Sequence, residues 1–262
     1  MRARMLHRWD LSPREAVATQ SLLRDRIRET PLDWTRLRHV AGCDAASLGG
    51  DLIAAAVVYD LEAREIVEVA SARGPAPFLY VPGLLSFREV PVLLAALSGL
   101  RTTPQAILCD GQGRAHPRGF GLACHLGLLL ETPSVGVAKS RLIGDASEPA
   151  ARRGSSTALL DRGETVGRVL RTRDGVRPLY VSVGHRITLE DSVRLVLRTG
   201  MGYRLPEPTR QADRLVRGLS REARARTAEP AETTSLAGPR SGRIDHSGRT
   251  DCGGAARRRG HG

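Results

Sequence analysis

Lysine is almost missing from this chain: of its 40 basic residues 39 are arginine, and Lys139 stands alone. Where arginine is so abundant, a single lysine raises the question of what arginine could not do there. Aromatic residues make up only 3% of the sequence, so one placed outside an obvious apolar run calls for a reason. The four cysteines, Cys43, Cys109, Cys124 and Cys252, include no CxxC pair, and no histidine stands at zinc-finger spacing. That excludes a disulfide framework and a structural zinc, and the cysteines read as reduced thiols, mostly small core residues. No apolar run approaches a membrane span, and the first residues, Met1-Arg2-Ala3-Arg4-Met5-Leu6-His7-Arg8, meet charge before any stretch long enough for a signal peptide. The expectation is a cytoplasmic monomer with no membrane partner. Acidic residues are also in the minority, 28 against 40 basic, for a formal charge of +12. The surplus favours a polyanionic partner without saying which, and part of it is simply a composition biased toward arginine.

The 262 residues suffice for one sizeable α/β domain and a tail. Ser12-Pro13-Arg14-Glu15 combines an N-cap serine, proline at the first helical position and a capping-box glutamate, and predicts a helix with apolar residues continuing to Ile27. Three β-rich runs follow, Leu37 to Cys43, Leu52 to Leu61 across a Gly49-Gly50 turn, and Glu65 to Ala72, as an antiparallel meander. From Ser86 the pattern becomes helix, strand, helix, strand: Phe87 to Leu100, Ala106 to Cys109, Gly119 to Leu130 and Ser134 to Ala138. Parallel strands joined by crossover helices are implied. Strands at Thr165 to Arg171 and Leu179 to Gly184 and a helix from Thr188 to Thr199 complete the globular part. The outline is an α/β fold, a ribonuclease H-like mixed sheet with flanking helices. From Gly218 to Gly262 aliphatic periodicity fades and the chain ends Arg257-Arg258-Arg259-Gly260-His261-Gly262, so this segment is expected to be a disordered basic tail.

Asp44 follows the apolar run Val40-Ala41-Gly42-Cys43, and Asp110 follows Ala106-Ile107-Leu108-Cys109. Both are read as strand-end carboxylates, placed where open α/β sheets gather reactive groups, and hard oxygen ligands there suit Mg²⁺. Period-2 alternation puts Cys43 and Cys109 on the opposite, core-facing side. One strand-end Asp could equally be a cap or turn residue; two of them, with Glu89 on the intervening helix, weaken that alternative.

Phe78-Leu79-Tyr80-Val81-Pro82-Gly83-Leu84-Leu85-Ser86-Phe87-Arg88-Glu89 and Asp110-Gly111-Gln112-Gly113-Arg114-Ala115-His116-Pro117-Arg118 resemble the two central motifs of the endonuclease V family. Gly136-Val137-Ala138-Lys139-Ser140-Arg141-Leu142, Gly184-His185-Arg186 and Gly202-Tyr203-Arg204-Leu205-Pro206-Glu207-Pro208-Thr209-Arg210 are similar to its later blocks in the same order. The resemblance runs from about Asp33 to Val216 and makes residues 1–217 a nuclease domain. It implies a DNA repair endonuclease that cuts the second phosphodiester bond 3′ to deoxyinosine, leaving 3′-hydroxyl and 5′-phosphate ends. By the same resemblance Asp44, Glu89 and Asp110 hold Mg²⁺, with Mn²⁺ able to replace it, and Asp213 lies near the metal. Such an ion polarises the scissile phosphate and activates water.

The resemblance also makes His116 a proton-transfer or phosphate-orienting group, although a solvated loop histidine is the alternative. Lys139 fits a compact ammonium aimed at phosphate or at the attacking water. Tyr80, Pro82 and Gly83 resemble a wedge, an aromatic ring on a stiff turn that fills the gap left by a base rotated out of the helix. Gly111 and Gly113 suit a backbone that comes close to the flipped hypoxanthine. The implied partner is inosine-containing nucleic acid, DNA before RNA. Another ribonuclease H-like nuclease using the same carboxylates, and a basic nucleic-acid-binding protein without activity, stay open as readings of the residues alone.

Overall fold

Helix α1 (Pro13–Arg24) starts where the capping box places it: the Ser12 hydroxyl accepts from the Glu15 N–H, and the Glu15 carboxylate accepts from the Ser12 N–H at 2.8 Å. It ends at the Asp25 cap, before Ile27. The structure, a computed structural model, describes residues 1–228. The expected meander follows as β1 (His39–Leu48), β2 (Asp51–Asp60) and β3 (Glu65–Pro75), antiparallel throughout. Next come α2 (Leu85–Ser98), β4 (Ala106–Cys109), α3 (Leu122–Leu130) and β5 (Ser134–Ala138), with β1, β4 and β5 parallel. An antiparallel set closes the sheet, β6 (Ser156–Asp161), β7 (Glu164–Leu170) and β8 (Leu179–His185), and α4 (Leu189–Arg198) and α5 (Glu207–Ala228) end the described chain. The result is one mixed sheet of eight strands in the order β3-β2-β1-β4-β5-β8-β7-β6.

Alternation along the central strands divides the core between two faces. Ala41, Cys43, Ile107 and Cys109 point to one side, where they pack with Leu93 and Leu97 of α2 and Leu126 and Leu129 of α3. Val40, Leu108, Val135 and Val137 point to the other, toward Leu195 and Val196 of α4. There too Ala212 and Val216 of α5 pack on Ala55 and Val57 of β2. Cys43, Cys109 and Cys124 are buried free thiols, as expected. Among the described residues no helix is long and apolar enough to cross a membrane.

Three readings of the sequence need correction. Asp44 does not end β1. The parallel partner β4 stops at the Cys43–Cys109 register, but β2 goes on pairing with β1 from Asp44 opposite Ala55 to Leu48 opposite Asp51. Edge strand β6 was not anticipated, because its alternation is weak. The tail does not begin at Gly218, for α5 runs through that residue to Ala228. Its arginine-rich, aliphatic-poor composition resembles a tail, yet a narrow apolar stripe is enough to dock it. Residues 229–262, with Cys252 and the terminal arginine run, lie outside the described residues.

One close approach fixes where α5 starts. A Cβ added at Gly42 of β1 would lie 2.1 Å from the carbonyl carbon of Pro208, so glycine lets the first turn of α5 rest on the strand backbone. This packing brings α5, and Asp213 with it, over the carboxyl end of the parallel strands.

Candidate metal centre and the adjoining loop

Asp44, Asp110 and Asp213 each offer a carboxylate oxygen, and all three oxygens lie within 4.8 Å of one another. The triad is assembled from three elements: the middle of β1, the residue after β4, and the second turn of α5. Glu89 comes from α2 and stands one step out. It feels the charges of Asp44 and Asp110, but Asp213 completes the tight group. Burial followed by the charge of Asp110 pushes the Asp44 carboxyl up to about 7. Burial, then Asp44 and Asp110, pushes Glu89 up to about 8. Asp110 is raised as well, first by burial, against the opposing pull of Lys139.

Lys139, one residue past the end of β5, is the cation built into this cluster. Its Nζ lies 2.5 Å from Asp110 and 2.9 Å from Asp213. Burial works against its charge, but the two carboxylates outweigh burial and the ammonium is held above its ordinary value. Arg217, one turn beyond Asp213, binds it at 3.0 Å. Arg204 donates to the Lys139 carbonyl at 2.7 Å and to the Pro178 carbonyl at 2.9 Å, bracing the lysine's backbone. Lys139 and Arg217 answer Asp110 and Asp213, and the four half-buried carboxyl groups gather hard oxygens of the kind that Mg²⁺ or Mn²⁺ prefers. The residues therefore fit a divalent ion.

The loop before α2 is held at both ends and exposed between them. Upstream, Arg88 donates to the Phe78 carbonyl at 2.8 Å. Downstream, the Gly83 carbonyl accepts from three side chains: Gln20 at 3.0 Å, His116 at 3.0 Å and Arg118 at 2.6 Å. The turn closes with the Leu84 N–H on the Val81 carbonyl at 2.9 Å. Pro82 precedes Gly83, whose φ of +78° suits the third position of a type II turn. Between these anchors Leu79 and Tyr80 are 80% and 70% exposed. Beneath Tyr80 a cavity of about 160 Å³ is lined by residues including Pro82, Gly83, Gly111, Gln112, His116 and Leu122.

His116 is built into the anchor of this loop. A carbonyl can only accept, so its Nε2 carries the proton to Gly83, and its Nδ1 accepts from the Arg118 N–H at 3.3 Å. Both nitrogens serve the loop and the ring is neutral, because burial and then the Arg118 charge lower its pKa to about 4. Gly111 lines the cavity. Gly113 has a reason internal to the fold: a Cβ there would lie 2.1 Å from the Val183 carbonyl oxygen of β8. Gln20, fully buried on α1, and Arg204 are the functional candidates sequence reasoning missed. Gln20 carried no signal, whereas Arg204 stood unassigned inside a quoted block.

Comparison with known proteins agrees with this geometry. The family model described as Endonuclease V matches residues 21–214. The endonuclease V of Nostoc punctiforme is 50% identical over 211 residues, covering 80% of this chain and 96% of that protein. The crystal structure of endonuclease V from Streptomyces avermitilis superposes with a TM-score of 0.79 at 44% identity, covering 86% of this chain and all of that one. A third structure, Ciona intestinalis endonuclease V in complex with a 24mer DNA containing an inosine followed by a ribo-adenosine, has a TM-score of 0.71 at 25% identity. It covers 80% of this chain and 98% of its own.

Proposed function

Because the chain belongs to the endonuclease V family and is thus a nuclease, we propose that it repairs deaminated adenine by hydrolysing the second phosphodiester bond 3′ to deoxyinosine. The products are a 3′-hydroxyl and a 5′-phosphate. The observation that carries this reading is the pairing of two features: the Asp44, Asp110 and Asp213 triad, and a base-sized cavity under an exposed tyrosine. The Ciona protein's complex with inosine-containing DNA supports the substrate.

Asp44, Asp110 and Asp213, with Glu89 behind them, would hold Mg²⁺, or Mn²⁺ in its place, which when bound supplies Lewis-acid activation of phosphate and water. Lys139 sets the charge and spacing of Asp110 and Asp213, and its ammonium can turn from them toward a phosphate oxygen. Tyr80 fills the gap in the helix while the cavity beneath takes the extruded base, a step made easier by the weak pairing of inosine. His116, Gln20 and Arg118 fix the Gly83 carbonyl and with it the edge of that cavity. Gly111 lets the backbone approach the base.

The ribo-adenosine that follows inosine in the Ciona complex favours a second reading, cleavage where a ribonucleotide follows the lesion. One assay separates the two. Matched duplexes with inosine in DNA, in RNA, or followed by a single ribonucleotide, and the same duplex without inosine, are incubated with Mg²⁺, with Mn²⁺ or with chelator. Nicking of the all-DNA duplex at the second bond, lost on chelation, is expected. Equal nicking of undamaged duplex would refute the proposal.

A further inference from the structure

We infer that the extended part of α5 carries a track for the phosphate backbone of the strand being cut, leading away from the carboxylate triad. The inference rests on the nuclease reading above and adds to it a binding surface that continues past the end of the family model's match at residue 214. Helix α5 goes on to Ala228, and arginines recur at Arg210, Arg214, Arg217, Arg221 and Arg224. Spacings of four, three, four and three keep all five on one helical face, over about 21 Å at 1.5 Å per residue.

These five side chains line a single groove of about 560 Å³ between α5 and the end of β1, and the acidic residue in its lining is Asp213. Asp213 also belongs to the triad, so the groove and the metal centre share a wall. The acidic residue of the extension, Glu222, is absent from this lining and borders the two neighbouring grooves, one of them beside Arg214 and Arg221. Arg210 is stiffened by Glu207 at 2.7 Å and by the Tyr203 ring, 4.0 Å from its guanidinium, while Arg217 is tied to Asp213. Arg214, Arg221 and Arg224 are exposed at the rim of the groove, which Arg214 and Arg221 share with the neighbouring one. A polyanion with a phosphate at the triad can therefore place its following phosphates along this row, where guanidinium forks bind phosphate well. No base edge needs to be read, so the track acts on any sequence and on undamaged DNA as well.

The test is a triple substitution, Arg214→Gln with Arg221→Gln and Arg224→Gln, beside a second triple in which the same three arginines become lysine. Binding to inosine-containing duplex is measured against salt. The duplexes are long on both sides of the scissile phosphate, or trimmed to two nucleotides on one side or on the other. The glutamine triple should bind the long duplex more weakly, with a plot of log K against log salt shallower by about 2 to 3, near 0.9 for each phosphate that is no longer neutralised. The lysine triple should keep the slope. Trimming one side, and only that side, should make the wild type and the glutamine triple alike. An unchanged slope in the glutamine triple, or a difference that survives trimming on either side, overturns the proposal. If the wild type binds and nicks undamaged duplex as well as damaged, the repair reading fails, yet the slopes still decide the track.

Discussion

The carboxylate triad and the Gly83 anchor sit side by side, and they are built on opposite principles. Around Asp44, Asp110 and Asp213 the protein crowds carboxyl groups together: burial and mutual repulsion raise Asp44 and Asp110, while Lys139 and Arg217 answer Asp110 and Asp213. At Gly83 position is fixed by partners instead, with three side-chain donors on one carbonyl and both nitrogens of His116 engaged. The first region holds its function as charge awaiting a cation, the second as position. Substitutions in the triad should thus spare the fold and abolish chemistry, whereas those at the anchor should change binding and stability by modest amounts.

The largest effect is expected at the triad. Asp110→Asn should slow cleavage on the order of a thousand-fold or more, since the loss of a hard ligand removes several kcal/mol of transition-state stabilisation. Binding of inosine duplex should hold or tighten, because one negative charge facing the phosphates has gone. Divalent ion should raise the Tm of the wild type and not that of the variant, by linkage. Metal-dependent nicking at the wild-type rate in Asp110→Asn would place the metal elsewhere.

Next comes the close packing that positions Asp213. Gly42→Ala drives a methyl into the backbone of Pro208, which no rotamer change relieves, and should cost about 1 to 3 kcal/mol in urea unfolding together with much of the activity. Gly218 offers a contrast on the same helix. It has open space where a Cβ would go, so Gly218→Ala should stabilise the fold by roughly 1 kcal/mol, the difference in helix propensity. Destabilisation by both would mean that α5 tolerates no change at all, and the role given to Gly42 would lose its meaning.

These glycines also show where the sequence was readable. Asp110 and Lys139 stood out because each follows a short apolar strand, and Asp44 because it follows the apolar run Val40 to Cys43, the part of β1 that β4 matches. Asp213 came only by resemblance, since its helix has too few aliphatic residues to look like one. Gln20 reaches Gly83 from 63 residues away, a pairing no local spacing encodes. Gly42 and Gly136 did carry a signal that went unread: a glycine inside a buried strand often marks a backbone pressed close.

At the exposed part of the loop the effect falls on recognition. Tyr80→Ala removes a stacking interaction of roughly 1 to 3 kcal/mol and leaves the triad intact. The penalty should be greatest on paired inosine, smaller on mismatched inosine and smallest on single strands, where the base is already unstacked. Equal losses on all three would mean that Tyr80 acts in folding or catalysis rather than as a wedge.

The smallest expected effect tests the anchor through protons. His116 is lowered from about 6.5 to about 4 by burial and by Arg118, so the folded protein binds its proton less readily than the unfolded chain. Its contribution is therefore complete above pH 6.5 and declines as the pH falls from 6.5 toward 4. At pH 5.5 that single group should cost roughly 1 kcal/mol relative to pH 7.5. Buried His125 and His185 are lowered too and act in the same direction, so the wild type alone cannot isolate the effect of His116. His116→Gln can: the glutamine amide keeps a donor for the Gly83 carbonyl but has nothing to titrate. Urea unfolding at pH 5.5 and 7.5 should show the variant losing less stability on acidification than the wild type, by about that amount. If both lose the same, the ring is protonated at little cost in the fold, and the anchor cannot depend on a neutral His116 accepting from Arg118.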